Sequence, residues 1–250
     1  TSLTLGVIGI GTALMVGCVL QCLKAGGPSR KITRKATQFS DWGIHEPFGF
    51  SVLASIYVLD MLVRAGFLML LPFCLINNSL PDEKVGYALS ALFVGGAAGK
   101  YLIGRLTQWL GVMFAVFLSE GLTCFGILAV LFLPLDLTLW ALPVIGAALN
   151  GTSSALYGSV TDFVNDNRRA RAFGLFYTLG VAASALAPLL SGLMSDHLGL
   201  NTAVVVVALG AILTMPLACM LHPALRRARS VMLRTNAIET KGDDSKTAPF

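Results

Sequence analysis

The sequence predicts an all-α, polytopic transmembrane helical bundle, and three observations support this prediction. Hydrophobic residues make up 55% of the 250 positions, whereas Asp, Glu, Lys and Arg together make up 12%, about half the share found in soluble domains. The apolar residues fall into runs of about 20, which is the helix length that crosses about 30 Å of hydrocarbon. Charge, glycine and proline mark the breaks between the runs. Lipid is therefore the predicted solvent for most of the chain.

Seven such runs follow one another. Their connections are short, except for a linker that contains Gly26, Gly27, Pro28 and five basic residues. The predicted spans are 2–23, 49–76, 86–107, 112–133, 138–163, 172–194 and 200–221. The predicted domains are a helix at 1–23, a cytoplasmic basic linker at 24–48, a six-helix bundle at 49–221 and a disordered tail at 222–250. Because the chain starts at Thr1 with no charged leader, we also expect residues to precede it.

The basic residues predict the orientation. Fifteen of the 18 Lys and Arg residues lie in alternate connections, namely the linker, the turn with Arg105, the loop at 168–171 and the tail, and only Lys84 lies on the other side. By the positive-inside rule the linker and the C-terminus are cytoplasmic, in a multi-pass protein of the inner (plasma) membrane. The net charge of +5 therefore indicates topology rather than a nucleic-acid partner. All five cysteines lie in apolar segments, so we expect no disulfide framework, metal or other cofactor.

Four ionisable residues fall inside predicted spans, where each costs at least about 2.5 kcal/mol unless it faces protein or water. Asp60 and Arg64 are four residues apart and share one helix face. Lys100 and Glu120 lie at similar depth in the next two spans. Two interpretations stay open. The charges could neutralise each other, as Asp60–Arg64 and Lys100–Glu120 pairs, or they could line a polar cavity in which Arg64 or Lys100 attracts an anionic group and Asp60 or Glu120 carries a proton.

The fifth span supplies polar side chains of its own. Asn150 and Tyr157 are seven residues apart and therefore share a helix face. They could orient a solute in a cavity, or they could hydrogen-bond to neighbouring helices. Prolines inside four spans and the glycines of the third suit helices that move against one another.

The third span and its turn read Gly-Gly-Ala-Ala-Gly-Lys-Tyr-Leu-Ile-Gly-Arg-Leu-Thr-Gln-Trp-Leu-Gly over residues 95–111. This stretch resembles the cytoplasmic hairpin signature of the major facilitator superfamily, Gly-Arg-Leu-x-Asp-Arg-x-Gly, in its second-half copy. The matching residues are Gly104, Arg105, Leu106 and Gly111. Gln108 and Trp109 replace the Asp and Arg of the pattern, which puts a charge relay at this gate in doubt.

A second stretch, residues 161–178, is similar to the loop before the eleventh helix of that family, and the pattern Pro188, Gly192, Asp196, Gly199 follows it. The order of the motifs implies helices six to twelve of a transporter, that is, the C-terminal half with one preceding helix. The resemblance implies that Asp162 and Arg169 act with Gly104, Arg105 and Gly111 at the cytoplasmic gate. It also places Glu120 on a peripheral helix. On such a helix, we expect Glu120 to pair with Lys100 rather than to contact the substrate.

Within the superfamily, the motifs around Asp60, Lys100, Glu120 and Asn150 resemble bacterial drug exporters of the fosmidomycin-resistance type. That resemblance implies alternating-access export of a small, anionic compound in exchange for protons. The implied partners are the solute, protons, the lipid bilayer and the N-terminal half of the same transporter. The alternative is a heptahelical sensor or receptor without transport, although 200–221 contains no lysine for retinal and the loops contain no cysteine. An embedded enzyme is not expected, because the three histidines are scattered.

Overall fold

The structure, a computed structural model, describes residues 44, 46–164 and 168–244 and is helical through almost all of that range. Within it the only β-type pairing is an isolated antiparallel bridge between Ile44 and Val164. The predicted all-α bundle is therefore confirmed. The described residues belong to one compact unit. The predicted span 2–23 and nearly all of the linker 24–48 lie outside the described residues.

Six α-helices follow one another in the described part of the chain. Glu46 caps the first helix, since its carboxylate accepts a hydrogen bond from the Gly49 N–H at 3.3 Å, and Pro47 opens the first turn. Two helix pairs are joined by the single glycines Gly111 and Gly199, with φ of 87° and 88°, a conformation that favours glycine. The helices are α1 Pro47–Asn77, α2 Asp82–Leu110, α3 Val112–Phe132, α4 Leu135–Val160, α5 Arg169–Leu198 and α6 Leu200–Asp244, with a 3₁₀ turn at Thr161–Phe163.

Five of these helices are long and apolar enough to cross a membrane: α1, α3, α4 with its 3₁₀ turn, α5, and α6 through Ala228. The exception is α2, which covers the predicted span 86–107 and has 29 residues. Its glycines and Lys100 lower its apolarity. The helix itself was predicted correctly, but apolarity alone does not mark it as a span.

The last helix extends into the C-terminal tail. Helix α6 continues to Asp244, where the sequence analysis expects a disordered tail from residue 222. After Pro223 the sequence continues Ala-Leu-Arg-Arg-Ala-Arg and has no further proline until Pro249. Alanine, leucine and arginine are among the strongest helix formers. Their presence predicts a continuing helix, whereas the charged and polar composition of the segment suggested disorder.

Helix α4 lies at the centre of the packing and contacts α1, α2 and α3, while α1 also packs against α5 and α6. Among the five candidate spans, α5 is the least covered. Only 22% of its apolar stretch is buried, against 50% in α1. A broad apolar face of α5 therefore points away from the other described helices.

The contact between α2 and α4 brings backbone against backbone. A Cβ added to Gly95 would lie 1.9 Å from the Pro143 carbonyl oxygen, and one added to Gly99 would lie 2.2 Å from the Ala147 carbonyl oxygen. Backbone atoms of packed helices cannot yield easily to such a group. Glycines four residues apart are the arrangement that lets membrane helices approach closely, so these two residues fix the α2–α4 distance.

We expect Gly99→Val to lower the thermal stability of the purified protein, because the side chain would force the two helices apart. Overpacking of this kind costs about 1–3 kcal/mol or more. The measurement is thermal unfolding in detergent. Gly86→Val is the matched control, since Gly86 lies on the same helix with nothing within 4 Å of an added Cβ. If both variants lost the same thermal stability, the loss would come from the change in helix propensity. That result would contradict the role of the contact.

Candidate functional site

A layer of polar side chains crosses the middle of the bundle. Two apolar clusters fill the interior; in α1 one of them ends at Met61 and the other starts at Val63. The same change from one cluster to the other occurs in α3, α4 and α6, and the side chains at the break are polar. We call this set the polar layer. Its members are the buried Asp60, Ser119, Glu120, Thr123, Thr152, Ser153 and Thr214 and the half-buried Arg64 and Asn150.

Arg64 ties two helices together within the polar layer. Its Nη2 lies 4.0 Å from Oδ2 of Asp60, one turn earlier on α1, so the predicted pairing on one helix face is confirmed. Its Nη1 donates a hydrogen bond of 3.1 Å to Oδ1 of Asn150 on α4. The Asn150 amide in turn donates to the Gly146 carbonyl at 3.1 Å, which holds its oxygen toward the guanidinium. The Arg64 side chain is 16% exposed, so the polar layer is accessible from outside at this residue.

Glu120 is the most deeply buried charged residue of the layer. It is 1% exposed, and neither of its carboxylate oxygens makes a hydrogen bond. Oδ2 of Asp60 has no hydrogen-bond partner either. Asp60 and Arg64 are both near enough to Glu120 to interact with it electrostatically. The layer thus combines two buried carboxyl groups with one guanidinium.

Two threonines lie beside the Glu120 carboxyl group, one from α4 and one from α6. The Thr152 hydroxyl shares a hydrogen bond of 2.7 Å with the Ser119 hydroxyl. The Thr214 hydroxyl donates at 2.6 Å to the carbonyl of Ala211 on its own helix. Each hydroxyl is thus engaged with another group.

Lys100 does not belong to the polar layer. It is exposed on α2, while its neighbour Gly99 faces α4. Neighbouring positions on a helix point in different directions, so the face that packs inward is not the face that carries the lysine. The predicted Lys100–Glu120 pair is therefore not formed. Glu120 is instead buried in the bundle beside Asp60 and Arg64.

A cluster of aromatic residues lies next to the polar layer, on the side toward the start of α1. The hydroxyls of Tyr57 and Tyr157 lie 2.5 Å apart, and the Tyr57 ring stacks on Phe176 with centroids 4.2 Å apart. The cluster joins α1, α4 and α5, and it uses the Tyr157 hydroxyl that was expected to orient a solute. The sequence analysis missed Tyr57 and Phe176. Tyr57 could have been found, because it lies seven residues before Arg64 and so shares its helix face.

Comparison with known families agrees with this architecture. The sequence model of the Major Facilitator Superfamily matches residues 53–239, which include the whole polar layer and reach from α1 into the last helix. The chain belongs to the major facilitator superfamily. It is therefore a membrane transporter, and the heptahelical receptor is not supported. No curated protein gives a significant match.

The hairpin signature of the superfamily lies at the turn between α2 and α3. The Arg105 guanidinium carbon lies 5.8 Å from the centroid of the Trp109 ring, a cation–π contact at the residue that replaces the arginine of the pattern. Gly104 is half-buried on the same helix. Gly111 and Asp162 line one cavity, whereas Arg169 begins α5. Two of the predicted gate residues, Gly111 and Asp162, thus line the same cavity, and Arg105 is exposed.

Proposed function

We propose that this chain is the C-terminal part of a proton-coupled secondary transporter that moves a small organic compound by alternating access. The observation that supports the proposal best is the charge of the polar layer, with two buried carboxyl groups and one guanidinium between two apolar clusters. A charge at this depth is costly and serves no topological purpose. Such residues in transporters mark substrate and proton pathways.

The three charged groups differ in access, and this suggests their roles. Arg64 is partly exposed, so its guanidinium is placed to attract an anionic group, with Asn150 fixing its direction. One proton added to the layer would balance its charge, because a buried carboxyl group without a partner costs far less when neutral. Glu120 has no hydrogen-bond partner, so we assign the proton to it and the role of counter-ion to Asp60.

The proposal extends to the rest of the chain. Residues 2–23 would be the last helix of the N-terminal half, 24–48 the cytoplasmic linker and 49–221 the six-helix C-terminal half, in the inner (plasma) membrane. The uncovered apolar face of α5 is available to the N-terminal half. The hairpin and loop residues, Gly104, Arg105, Gly111, Asp162 and Arg169, would then form the cytoplasmic gate. Tyr157 acts with Tyr57 in closing the path, whereas Lys100, which the sequence placed in the site, is exposed and has no part in it.

Because the sequence resembles exporters of the fosmidomycin-resistance type, we expect the substrate to be a small anionic drug that is exchanged for protons. The test is transport by the full-length protein in proteoliposomes that contain a pH-sensitive dye. A panel would include fosmidomycin and other anionic drugs together with cationic drugs. We expect movement of an anionic compound accompanied by a pH change. Transport without any pH change would reject proton coupling, and transport of cationic compounds alone would reject the role of Arg64.

A further inference from the structure

A cavity with both polar and apolar lining lies at one end of the bundle, apart from the polar layer. It has a volume of about 530 Å³, within the range of about 300–1,000 Å³ that small-molecule sites occupy. Three elements build it: the α2–α3 turn, the end of α4 with its 3₁₀ turn, and α6. The lining residues used below are Leu110, Val112, Asp162, His222, Leu225 and Arg226.

Cationic side chains form one wall of the cavity. His222 and Arg226 are four residues apart on α6, so they project from the same face of that helix. Both are exposed and both line the cavity. Arginine presents several donors in a fork that matches phosphate oxygens, and histidine adds a donor or, when protonated, a charge. Asp162, on the 3₁₀ turn, has interactions of its own.

The cavity lies at the level where a bilayer changes from hydrocarbon to headgroups. His222 directly follows the predicted span 200–221 and lies close to the end of the candidate span at Ala228. Trp109, which is 74% exposed, marks the same level on α2, since tryptophans concentrate at membrane interfaces. The position does not depend on which side of the membrane this end occupies. Lipid phosphates are the anions present there at the highest concentration.

The remaining lining fits the rest of a lipid headgroup. Leu110, Val112 and Leu225 provide apolar surface beside the cations. A free phosphate ion would use the cationic wall only, whereas a phospholipid would place its phosphate on His222 and Arg226 and its glycerol against the apolar wall. We propose that this cavity binds the phosphate group of a membrane phospholipid. The bound lipid bridges the α2–α3 turn and α6, which both line the cavity.

Native mass spectrometry of the full-length protein in detergent tests this proposal. The probes are phosphatidylglycerol, diacylglycerol as the lipid without phosphate, and inorganic phosphate as the phosphate without lipid. The variants are His222→Gln, Arg226→Gln and the double substitution, with Arg171→Gln as the control. Arg171 is an exposed arginine at the same end of the bundle and does not line the cavity. All three positions are exposed, so thermal unfolding should confirm that each of the four variants folds.

We expect phosphatidylglycerol to bind at least tenfold more tightly than diacylglycerol. The double substitution should reduce this binding about tenfold or more, because it removes charge-assisted hydrogen bonds, and Arg171→Gln should leave it unchanged. Equal losses in the Arg171 and Arg226 variants would indicate a diffuse basic surface and overturn the proposal, as would equal binding of the two lipids. Displacement of phosphatidylglycerol by equimolar inorganic phosphate would show that the site takes soluble phosphates and would overturn the lipid assignment.

Discussion

Glu120→Gln is expected to abolish proton-driven transport by the full-length protein while leaving exchange of substrate for substrate intact. Glutamine has nearly the same shape and is always neutral, so it mimics the protonated carboxyl group that we assign to the coupled state. Exchange requires only movement of the loaded site, whereas net transport requires the proton to leave. Proton-driven uptake and substrate counterflow, measured on the same proteoliposomes, separate the two activities.

Two further variants control this experiment. Asp136→Asn removes an exposed carboxylate at the first turn of α4 and should leave both activities unchanged. Asp60→Asn should lower both, because it removes the counter-ion of Arg64 and alters the substrate site. If Glu120→Gln retains full proton-driven transport, Glu120 does not carry the proton. If Asp60→Asn instead loses coupling and retains exchange, the proton belongs to Asp60.

The fold could be predicted from the sequence because the membrane restricts the backbone conformations that the chain can adopt. An apolar run of about 20 residues in lipid must satisfy its backbone internally, and the helix does so. Five helices were found this way, together with the boundaries set by Gly111 and Gly199. Helix α2 also covers a predicted run, 86–107, although its glycines at positions 95 and 99 serve packing and lower its apolarity. The extension of α6 to Asp244 fits the helix formers that accompany the charged residues there.

The site was predicted in part, and the errors have one physical origin. The sequence gives the depth of a residue along its span and its neighbours one turn away, so the Asp60–Arg64 pair and the shared face of Asn150 and Tyr157 could be inferred. It does not give the rotation of one helix against another. Lys100 and Glu120 therefore looked like partners at equal depth, although one is exposed and the other is buried beside Asp60.

Arg64→Gln is expected to abolish transport of anionic substrates and also to destabilise the protein. Without its guanidinium, Asp60 would be left buried with no opposite charge, and breaking a buried pair from one side costs about 3–5 kcal/mol. Lys100→Gln is the matched control, because it removes a cation from an exposed position on α2 and should affect stability little. Thermal unfolding and substrate uptake are the two measurements.

The double variant Asp60→Asn with Arg64→Gln distinguishes the two interpretations of this pair. Removing both charges leaves no unpaired charge in the pair, so stability should return to near that of the unmodified protein, since neutral replacements of buried pairs are often tolerated. If the pair serves only to neutralise itself, transport should return with stability. If Arg64 binds the anionic group of the substrate, the double variant should fold and still fail to transport, because no other cation lies in the polar layer among the described residues. We expect the second result, since the guanidinium is the one charged group of the layer that is partly exposed.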